Sequence, residues 1–383
     1  MKQNKMVLKI NHKELKDLTK IYCDKKISFF VRGRFGIGKS RAIREVAMEK
    51  AKEKGRIFVE WNSMTENEKL ALMDNPEKHY VFIDIRLSEY SPDDIKGLPL
   101  FMNNQRAIEF KIPLWALLLE HKDSDGVLFF DEINLATPLV MSSCYKIVYD
   151  RVVNQSRINN NWFIMMAGNT EEDRAYTTDV PSPLKDRCGE VELNIPSIEE
   201  WSEWAIKNKI SSSIIGFLNF KNSNLWKVNY EDNQKYTTPR SWERCSILID
   251  GIKNDDYDKL LLIVSSALGE GVASEYVAFC KLREKVNLKE ILKKPEKIKD
   301  LDTEKDLGMM YFLISAIADN YRTGEVKFND VMNITKVLDE IKKVEFVALL
   351  WRLCISYNEK FEEEFVKDKG SALEFANKYL KYL

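Results

Sequence analysis

Short apolar runs recur through the first half of the chain, and the stretches between them space their apolar residues three or four apart. A continuous apolar run of four to eight residues is typical of a buried strand, whereas the wider spacing indicates a helix. The strand-like runs lie at 27–32, 80–85, 127–130 and 163–167. Strands that alternate with helices predict an α/β fold, in which helices cover both faces of a parallel sheet.

The pattern changes at Pro196, after which apolar residues keep a mostly helical spacing to the last residue. Ser197 and Glu200 have the spacing of a capping box, so we expect a helix to begin there. Thr137 with Pro138 is a similar start signal in the first half of the chain. The sequence therefore predicts an α/β domain followed by helices.

Two segments interrupt the alternation of strands and helices. Each consists of two short alternating runs around an asparagine-rich turn, at 98–110 and at 151–163. This pattern is typical of a β-hairpin, so we expect two hairpins to be inserted into the α/β domain.

Length and composition indicate a globular protein of two or three domains, because 44% of the 383 residues are hydrophobic. The 59 basic and 60 acidic residues almost cancel, so the net charge gives no support for a binder of nucleic acid or of anionic membranes. The six cysteines form no C-x-x-C pair and the three histidines lie far apart, which argues against a metal or disulfide framework. We find no signal-peptide pattern and no apolar run of about 18 residues, so we expect a cytoplasmic protein that is not inserted in a membrane.

The segment FVRGRFGIGKSRAI joins the first strand-like run to a helical pattern. It matches the phosphate-loop motif G-x-x-x-x-G-K-S/T over Gly33, Arg34, Phe35, Gly36, Ile37, Gly38, Lys39 and Ser40. Glycines allow successive backbone N–H groups to turn toward phosphate oxygens. We expect Lys39 to reach the terminal phosphates and Ser40 to ligate Mg²⁺. The alternative is an ordinary glycine-rich turn, and the placement between a strand and a helix argues against it.

Polar side chains end two of the other strand-like runs. Asp131 and Glu132 follow VLFF, and Asn169 follows FIMMAG. Beside a phosphate loop, one carboxylate is expected to hold Mg²⁺ through water and a second to polarise the attacking water. Asp131 and Glu132 are the candidates for these two roles, and Asn169 is placed to orient that water.

Two arginines are candidates for contact with phosphate. Arg187 follows the strand and loop that carry Asn169, where an exposed arginine could act as a finger on a nucleotide bound by a neighbouring subunit. Arg240 follows the helix-start pair Thr238 and Pro239, so its charge lies at the positive end of a helix dipole. That placement calls for an anion, which could be a nucleotide phosphate or the side chain of Glu243.

Taken together, these motifs resemble those of the AAA+ ATPases, and specifically those of the MoxR family. The resemblance covers nearly the whole chain and is strongest from about residue 27 to residue 250. It rests on DIRLSEYSPDDIKGLP, DEINLATP, YKIVYDRVVN, MMAGNTEEDRA, PSPLKDRC and TPRSWE, which occur in the family's order. Phe35 stands where the family commonly has proline, and Cys188 where phenylalanine usually follows the finger. Neither change removes a phosphate or metal ligand.

The resemblance implies ATP and Mg²⁺ as cofactors and the hydrolysis of ATP as the activity. The implied roles are Walker A for 33–40, Walker B for Asp131 and Glu132, sensor 1 for Asn169, the trans arginine finger for Arg187 and sensor 2 for Arg240. The implied domains are a nucleotide-binding domain at 1–196, an α-helical lid with sensor 2 at 197–268 and a helical C-terminal extension at 269–383. The two hairpins would be the helix-2 insert and the pre-sensor-1 hairpin.

The resemblance also implies a homo-oligomeric ring, commonly a hexamer, because the arginine finger comes from another subunit. The implied role is a chaperone-like remodeller or activator of a protein client, often one with a von Willebrand factor A domain.

Two other classes of protein stay open at the level of sequence. A nucleotide-dependent nucleic-acid motor, or a restriction or defence ATPase, would share the loop and the ring, and basic residues near the hairpins could form a local patch: Arg106, Lys111, Arg151 and Arg157. A scaffold that binds nucleotide without hydrolysis would leave Glu132, Asn169 or Arg187 idle. A GTPase is less well supported, because the chain has no N/T-K-x-D stretch.

Overall fold

The computed structural model describes residues 7–101, 108–170, 180, 186–228, 235–252, 256–301 and 306–357, and then 361, 363, 364, 375, 378 and 379. The chain divides into two compact units, Met1–Ile195 and Pro196–Leu383. The division coincides with the change of pattern at Pro196, and each unit has its own hydrophobic core.

A parallel sheet forms the centre of the first unit. Within the described residues it has seven strands: β1 Leu8–Ile10, β2 Phe29–Gly33, β3 Ile57–Glu60, β4 His79–Arg86, β7 Gly126–Asp131, β10 Trp162–Gly168 and β11 Gly189–Leu193. Their order across the sheet is β1-β11-β2-β10-β7-β4-β3, and every neighbouring pair is parallel. The carboxyl ends of β2, β10 and β7 therefore lie side by side at one edge.

Six helices accompany this sheet in the described part of the first unit: α1 His12–Lys25, α2 Lys39–Glu53, α3 Glu66–Asp74, α4 Pro92–Lys96, α5 Leu114–Glu120 and α6 Pro138–Asp150. Thr137 caps α6 by accepting a hydrogen bond from the backbone N–H of Val140, as its sequence predicts. Helix α2 buries Ala42, Ile43 and Val46 at helical spacing. The two helices that the sequence places in this unit, α2 after the glycine loop and α6 after Thr137, are therefore confirmed.

Both faces of the sheet are covered, because its central strands are apolar at almost every position. Val81 and Ile83 of β4 belong to one core with residues of α5 and α6. The alternate residue Phe82 points to the other face and stacks on Phe129 of β7, with ring centroids 5.7 Å apart. Helix α2 packs beside β4 and β7. The α/β fold predicted from the sequence, with helices on both faces of a parallel sheet, is thereby confirmed, and it is the fold of a P-loop NTPase.

Both predicted hairpins are present as antiparallel pairs. The first pairs β5 Leu98–Phe101 with β6 Ile108–Lys111, and its turn at 102–107 lies outside the described residues. The second pairs only β8 Val152–Val153 with β9 Ser156–Arg157. It is shorter than the predicted 151–163, because Trp162 and the residue after it are buried in the main sheet as the start of β10.

Helices make up the second unit, as predicted. Its described helices are α7 Ile198–Lys207, α8 Ser212–Phe220, α9 Pro239–Ile249, α10 Tyr257–Leu268, α11 Glu270–Cys280, α12 Leu288–Lys293, α13 Leu307–Thr323, α14 Phe328–Glu340 and α15 Val344–Tyr357. Ser197 and Glu200 form the predicted capping box of α7. One hydrophobic cluster runs from Trp201 to Tyr379 and includes residues on both sides of Leu268. The division into a lid and a separate extension at that point stays a prediction.

None of the helices in the described part of the chain is both long enough and apolar enough to cross a membrane. All six cysteines are free thiols, and four of them are buried.

Candidate nucleotide-binding site

The predicted phosphate loop lies between β2 and α2, at the edge where the central strands end. Gly36 and Gly38 have φ angles of 71° and 99°, in the left-handed region that side chains with a Cβ rarely adopt. Gly38 is also the N-cap of α2, so the backbone N–H groups of the first helical turn and the positive end of the helix dipole face the loop. This is the arrangement that binds an anion such as phosphate.

Lys39 is folded back over the loop that precedes it. Its ammonium donates hydrogen bonds to the carbonyl oxygens of Gly33 at 2.7 Å and Arg34 at 2.9 Å. It also lies 3.2 Å from the Oδ1 atom of Asn169. Only 7% of Lys39 is exposed, so its charge is confined to the space beside the loop. A buried, positioned ammonium there is suited to neutralise a phosphate oxygen.

The loop is held from outside by the first helix. Nε2 of His12, the first residue of α1, lies 2.7 Å from the carbonyl oxygen of Ile37. A Cβ added to Gly38 would meet the same His12 nitrogen at 3.5 Å. The start of α1 therefore packs directly against the phosphate loop, a contact that the sequence did not suggest.

Ser40 and Asp131 are joined by a hydrogen bond, in which the Ser40 hydroxyl donates to Oδ2 of Asp131 over 2.7 Å. The bond links the first turn of α2 to the end of β7. A hydroxyl and a carboxylate are hard oxygen donors of the kind that Mg²⁺ prefers, and the two are already adjacent. The residues present therefore fit the metal that the sequence motif implies.

Glu132 directly follows β7 and has an unusual backbone. Its φ and ψ angles are 55° and 35°, the left-handed conformation that non-glycine residues adopt at some cost. Oε2 of Glu132 accepts a hydrogen bond of 2.7 Å from the hydroxyl of Ser88, which follows β4. The Glu132 carboxylate is therefore fixed by its own backbone turn and by the neighbouring loop.

Asn169 is fixed through its main chain by a second asparagine. The side-chain amide of Asn134 donates to the Asn169 carbonyl at 2.8 Å and accepts from the Asn169 N–H at 2.9 Å. Asn134 is 5% exposed. The Asn169 side chain is left to face Lys39 while its backbone is tied to the segment that follows Glu132.

A further carboxylate lies near these groups. Asp84 is on β4, where Asp84 pairs with Phe129 and Arg86 pairs with Asp131. Burial, and secondly the charge of Asp131, raise the pKa of Asp84 to about 6, while Arg86 opposes the shift. Asp84 thus titrates closer to neutral pH than an ordinary aspartate.

Arg187 lies two residues before β11 and is exposed. Its guanidinium carbon lies 4.4 Å from the centre of the Tyr149 ring, on the last turn of α6. Arg240 belongs to the second unit, where it is exposed in the first turn of α9 after the N-cap Thr238. No ion pair of Arg240 occurs among the described residues, so the Glu243 partner considered above is not found.

The structure therefore brings the loop at 33–38 together with five of the predicted side chains: Lys39, Ser40, Asp131, Glu132 and Asn169. Arg187 lies apart from them in the same unit, because it precedes β11, whose first residue Gly189 pairs with Phe29 at the start of β2. Arg240 lies in the other unit. Parts of two quoted motifs, 171–175 and 181–185, lie outside the described residues. Four contacting residues were missed by the sequence analysis, namely His12, Ser88, Asn134 and Tyr149. Asn134 could have been predicted, because it is a polar residue in the segment DEIN, two positions after Glu132.

No known family profile matches the chain, and no curated protein matches it by sequence. Among solved structures, a RuvB mutant of Thermotoga maritima has 13% identity and a TM-score of 0.34 and covers 76% of this chain and 79% of its own. NtrX of Brucella abortus in complex with ADP has 14% identity and a TM-score of 0.35, with 96% and 68% covered. ORC2 of Aeropyrum pernix, in ADPNP and ADP complexes, has 13% identity and a TM-score of 0.33, with 95% and 97% covered. All three TM-scores are below 0.5, so the fold assignment rests on the sheet and the loop of this chain.

Proposed function

We propose that this protein is an ATP-hydrolysing AAA+ ring protein of the MoxR type, which remodels or activates a protein client. The observation that carries the proposal is the pair of contacts that join three strand ends. Lys39 reaches Asn169 after β10, and Ser40 reaches Asp131 at the end of β7. A phosphate loop, two carboxylates and a polar amide then share one edge of the sheet, as phosphoryl transfer to water requires.

Each residue has a role that follows from its position. Lys39 and the N–H groups at the start of α2 bind phosphate oxygens. Ser40 and Asp131 would hold Mg²⁺, which supplies neutralisation of phosphate charge when bound. Glu132 accepts a proton from the attacking water, and the Ser88 hydroxyl fixes one of its oxygens. Asn169 orients that water from the side of Lys39.

The proposal also includes an oligomeric ring and a protein client. Arg187 is exposed, and it precedes β11 at the edge of the sheet where β2 begins, whereas the phosphate loop follows the end of β2. This separation supports action on a neighbouring subunit. We propose a hexamer and a client with a von Willebrand factor A domain, on the resemblance of the motifs. Arg240 would act as sensor 2, and the cytoplasm would be the location.

The test is the variant Glu132→Gln. It keeps the shape of the side chain and removes the base, so ATP should still bind while kcat falls by about a hundredfold or more. Glu89→Gln is the matched control, because Glu89 is an exposed carboxylate one residue from Ser88. Equal hydrolysis by the wild type and Glu132→Gln would overturn the assignment of the base.

The same variant tests the ring and the client. With ATP present, Glu132→Gln should assemble into a hexamer, measured by mass photometry, and should retain an A-domain protein in affinity purification. Retention of DNA with a steep dependence on salt would favour a nucleic-acid motor instead.

A further inference from the structure

Arg187 has an aromatic partner and no acidic one among the described residues. Its guanidinium carbon lies 4.4 Å from the Tyr149 ring centre, well inside the distance at which a cation is attracted to an aromatic face. Arg187 makes no ion pair with any described carboxylate. Unlike a carboxylate, the ring does not use the guanidinium donors for charge-assisted hydrogen bonds, so they stay available for a phosphate.

Carboxylates nevertheless lie close to this pair. Asp150 and Asp186 line the same cavity of about 360 Å³ as Tyr149 and Arg187. A guanidinium usually prefers a carboxylate, with which it forms two parallel hydrogen bonds. The ring therefore holds Arg187 in the presence of two alternative partners that would occupy its donors.

The Tyr149 hydroxyl has no part in this contact. It is buried and has no hydrogen-bond partner among the described residues. Burial raises the pKa of the Tyr149 hydroxyl, and Arg187 opposes the shift only secondarily. The aromatic face, rather than the hydroxyl, is the part of Tyr149 that Arg187 uses.

We infer that Tyr149 is a positioning residue that presents Arg187 to the nucleotide of a neighbouring subunit. This inference rests on the proposed function. An exposed arginine has many rotamers, and fixing it in advance lowers the cost of placing it on the reacting phosphate. The Tyr149 ring fixes Arg187 without occupying the guanidinium donors that would contact the phosphate.

Tyr149→Leu removes the ring and keeps a large apolar side chain. Loss of a cation–π contact at an exposed site should lower kcat about two- to fivefold and leave the Kd for ATP unchanged. Tyr149→Phe keeps the ring face and should restore kcat to the wild-type value. Tyr149→Gln also removes the aromatic ring, and its polar side chain can face solvent. It serves as the second variant if Tyr149→Leu folds poorly.

Tyr145→Leu is the matched control, because it removes the neighbouring ring on α6, whose centroid lies 6.3 Å from that of Tyr149. It should leave kcat unchanged. Wild-type kcat in both Tyr149→Leu and Tyr149→Gln would overturn the inference, and so would a loss of ATP binding, which indicates a structural role. A wild-type protein that hydrolyses no ATP would instead overturn the proposed function, and the inference with it.

Discussion

Asn134 and Asn169 exchange two hydrogen bonds, although 35 positions separate them in the chain. The side chain of the first donates to and accepts from the main chain of the second, at 2.8 and 2.9 Å. The segment that follows Glu132 is thereby fastened to the residue that faces Lys39. The proposed base, Glu132, and the proposed sensor, Asn169, are therefore linked through Asn134.

Asn134→Ala is expected to lower kcat about tenfold, because loss of both bonds releases Asn169 and the Glu132 segment together. The Kd for ATP should change much less, since the phosphate loop is intact. Unfolding should become easier by about 1–3 kcal/mol, because the Asn169 N–H loses its buried acceptor. Steady-state hydrolysis, ATP titration and denaturant unfolding measure the three quantities.

Asn62→Ala is the control for that experiment. Asn62 makes the same two bonds to the main chain of Asp84, at 2.7 and 3.0 Å, but on the side of β4 rather than beside the phosphate loop. Asn62→Ala should lower the free energy of unfolding but leave kcat unchanged. If the two variants lowered kcat equally, the link between Asn134 and Asn169 would have no special part in the reaction.

Lys39→Ala should weaken ATP binding by about 10- to 100-fold, because hydrogen bonds from a charged group to phosphate are lost from a site that is largely shielded from water. Lys52→Ala removes an exposed lysine from the far end of the same helix and should bind ATP normally. Isothermal titration with a non-hydrolysable analogue measures both. Unchanged binding in Lys39→Ala would place the phosphates elsewhere.

Chelation of Mg²⁺ should stop hydrolysis by the wild type, and Asp131→Asn should raise the Mg²⁺ concentration for half-maximal activity by about tenfold. The amide keeps an oxygen but loses the charge that favours a divalent cation. Asp123→Asn changes an exposed carboxylate and should leave the Mg²⁺ titration as it is in the wild type. A titration curve that Asp131→Asn does not move would remove Asp131 from the metal site.

Asp84 should make the metal-free protein less stable as pH rises. Its pKa in the folded protein, about 6, is above the value of 3.8 expected for the unfolded chain, so the folded state holds the proton more tightly. The resulting stabilisation is complete below pH 3.8 and is lost as pH rises through 6. Asp84→Asn, which stays neutral, should therefore raise the melting temperature at pH 8 by more than at pH 5. An equal effect at both pH values would contradict this assignment.

Much of the first unit could be predicted, because its signals are local. The glycine loop, the apolar strands and the cap at Thr137 each depend on residues a few positions apart, as does the cap at Ser197 that opens the second unit. The edge strand β3 was not predicted, since its apolar run at 57–59 is only three residues long and Ile57 is 60% exposed. β1 and β11 were not predicted either. They are short, and polar side chains alternate with their apolar ones.

The partners of the site residues could not be predicted for a different reason. Ser88 meets Glu132 and His12 meets the loop only because neighbouring strands and helices bring distant positions together. Serine and histidine are common residues, and nothing in their local sequence marks them. The motif residues specify the chemistry, whereas the residues that orient them depend on the pairing of strands.

The hydrophobic cluster of the second unit has a practical consequence for anyone who shortens the chain to isolate the predicted lid at 197–268. A polypeptide that stops at Leu268 would lose Tyr276, Phe279 and Trp351, all of them buried in the cluster that also holds Trp242. Phe217 would be stripped of its edge-to-face neighbours Tyr276 and Phe279. Such a fragment would expose an apolar surface to solvent and aggregate, so purification should begin with residues 1–383.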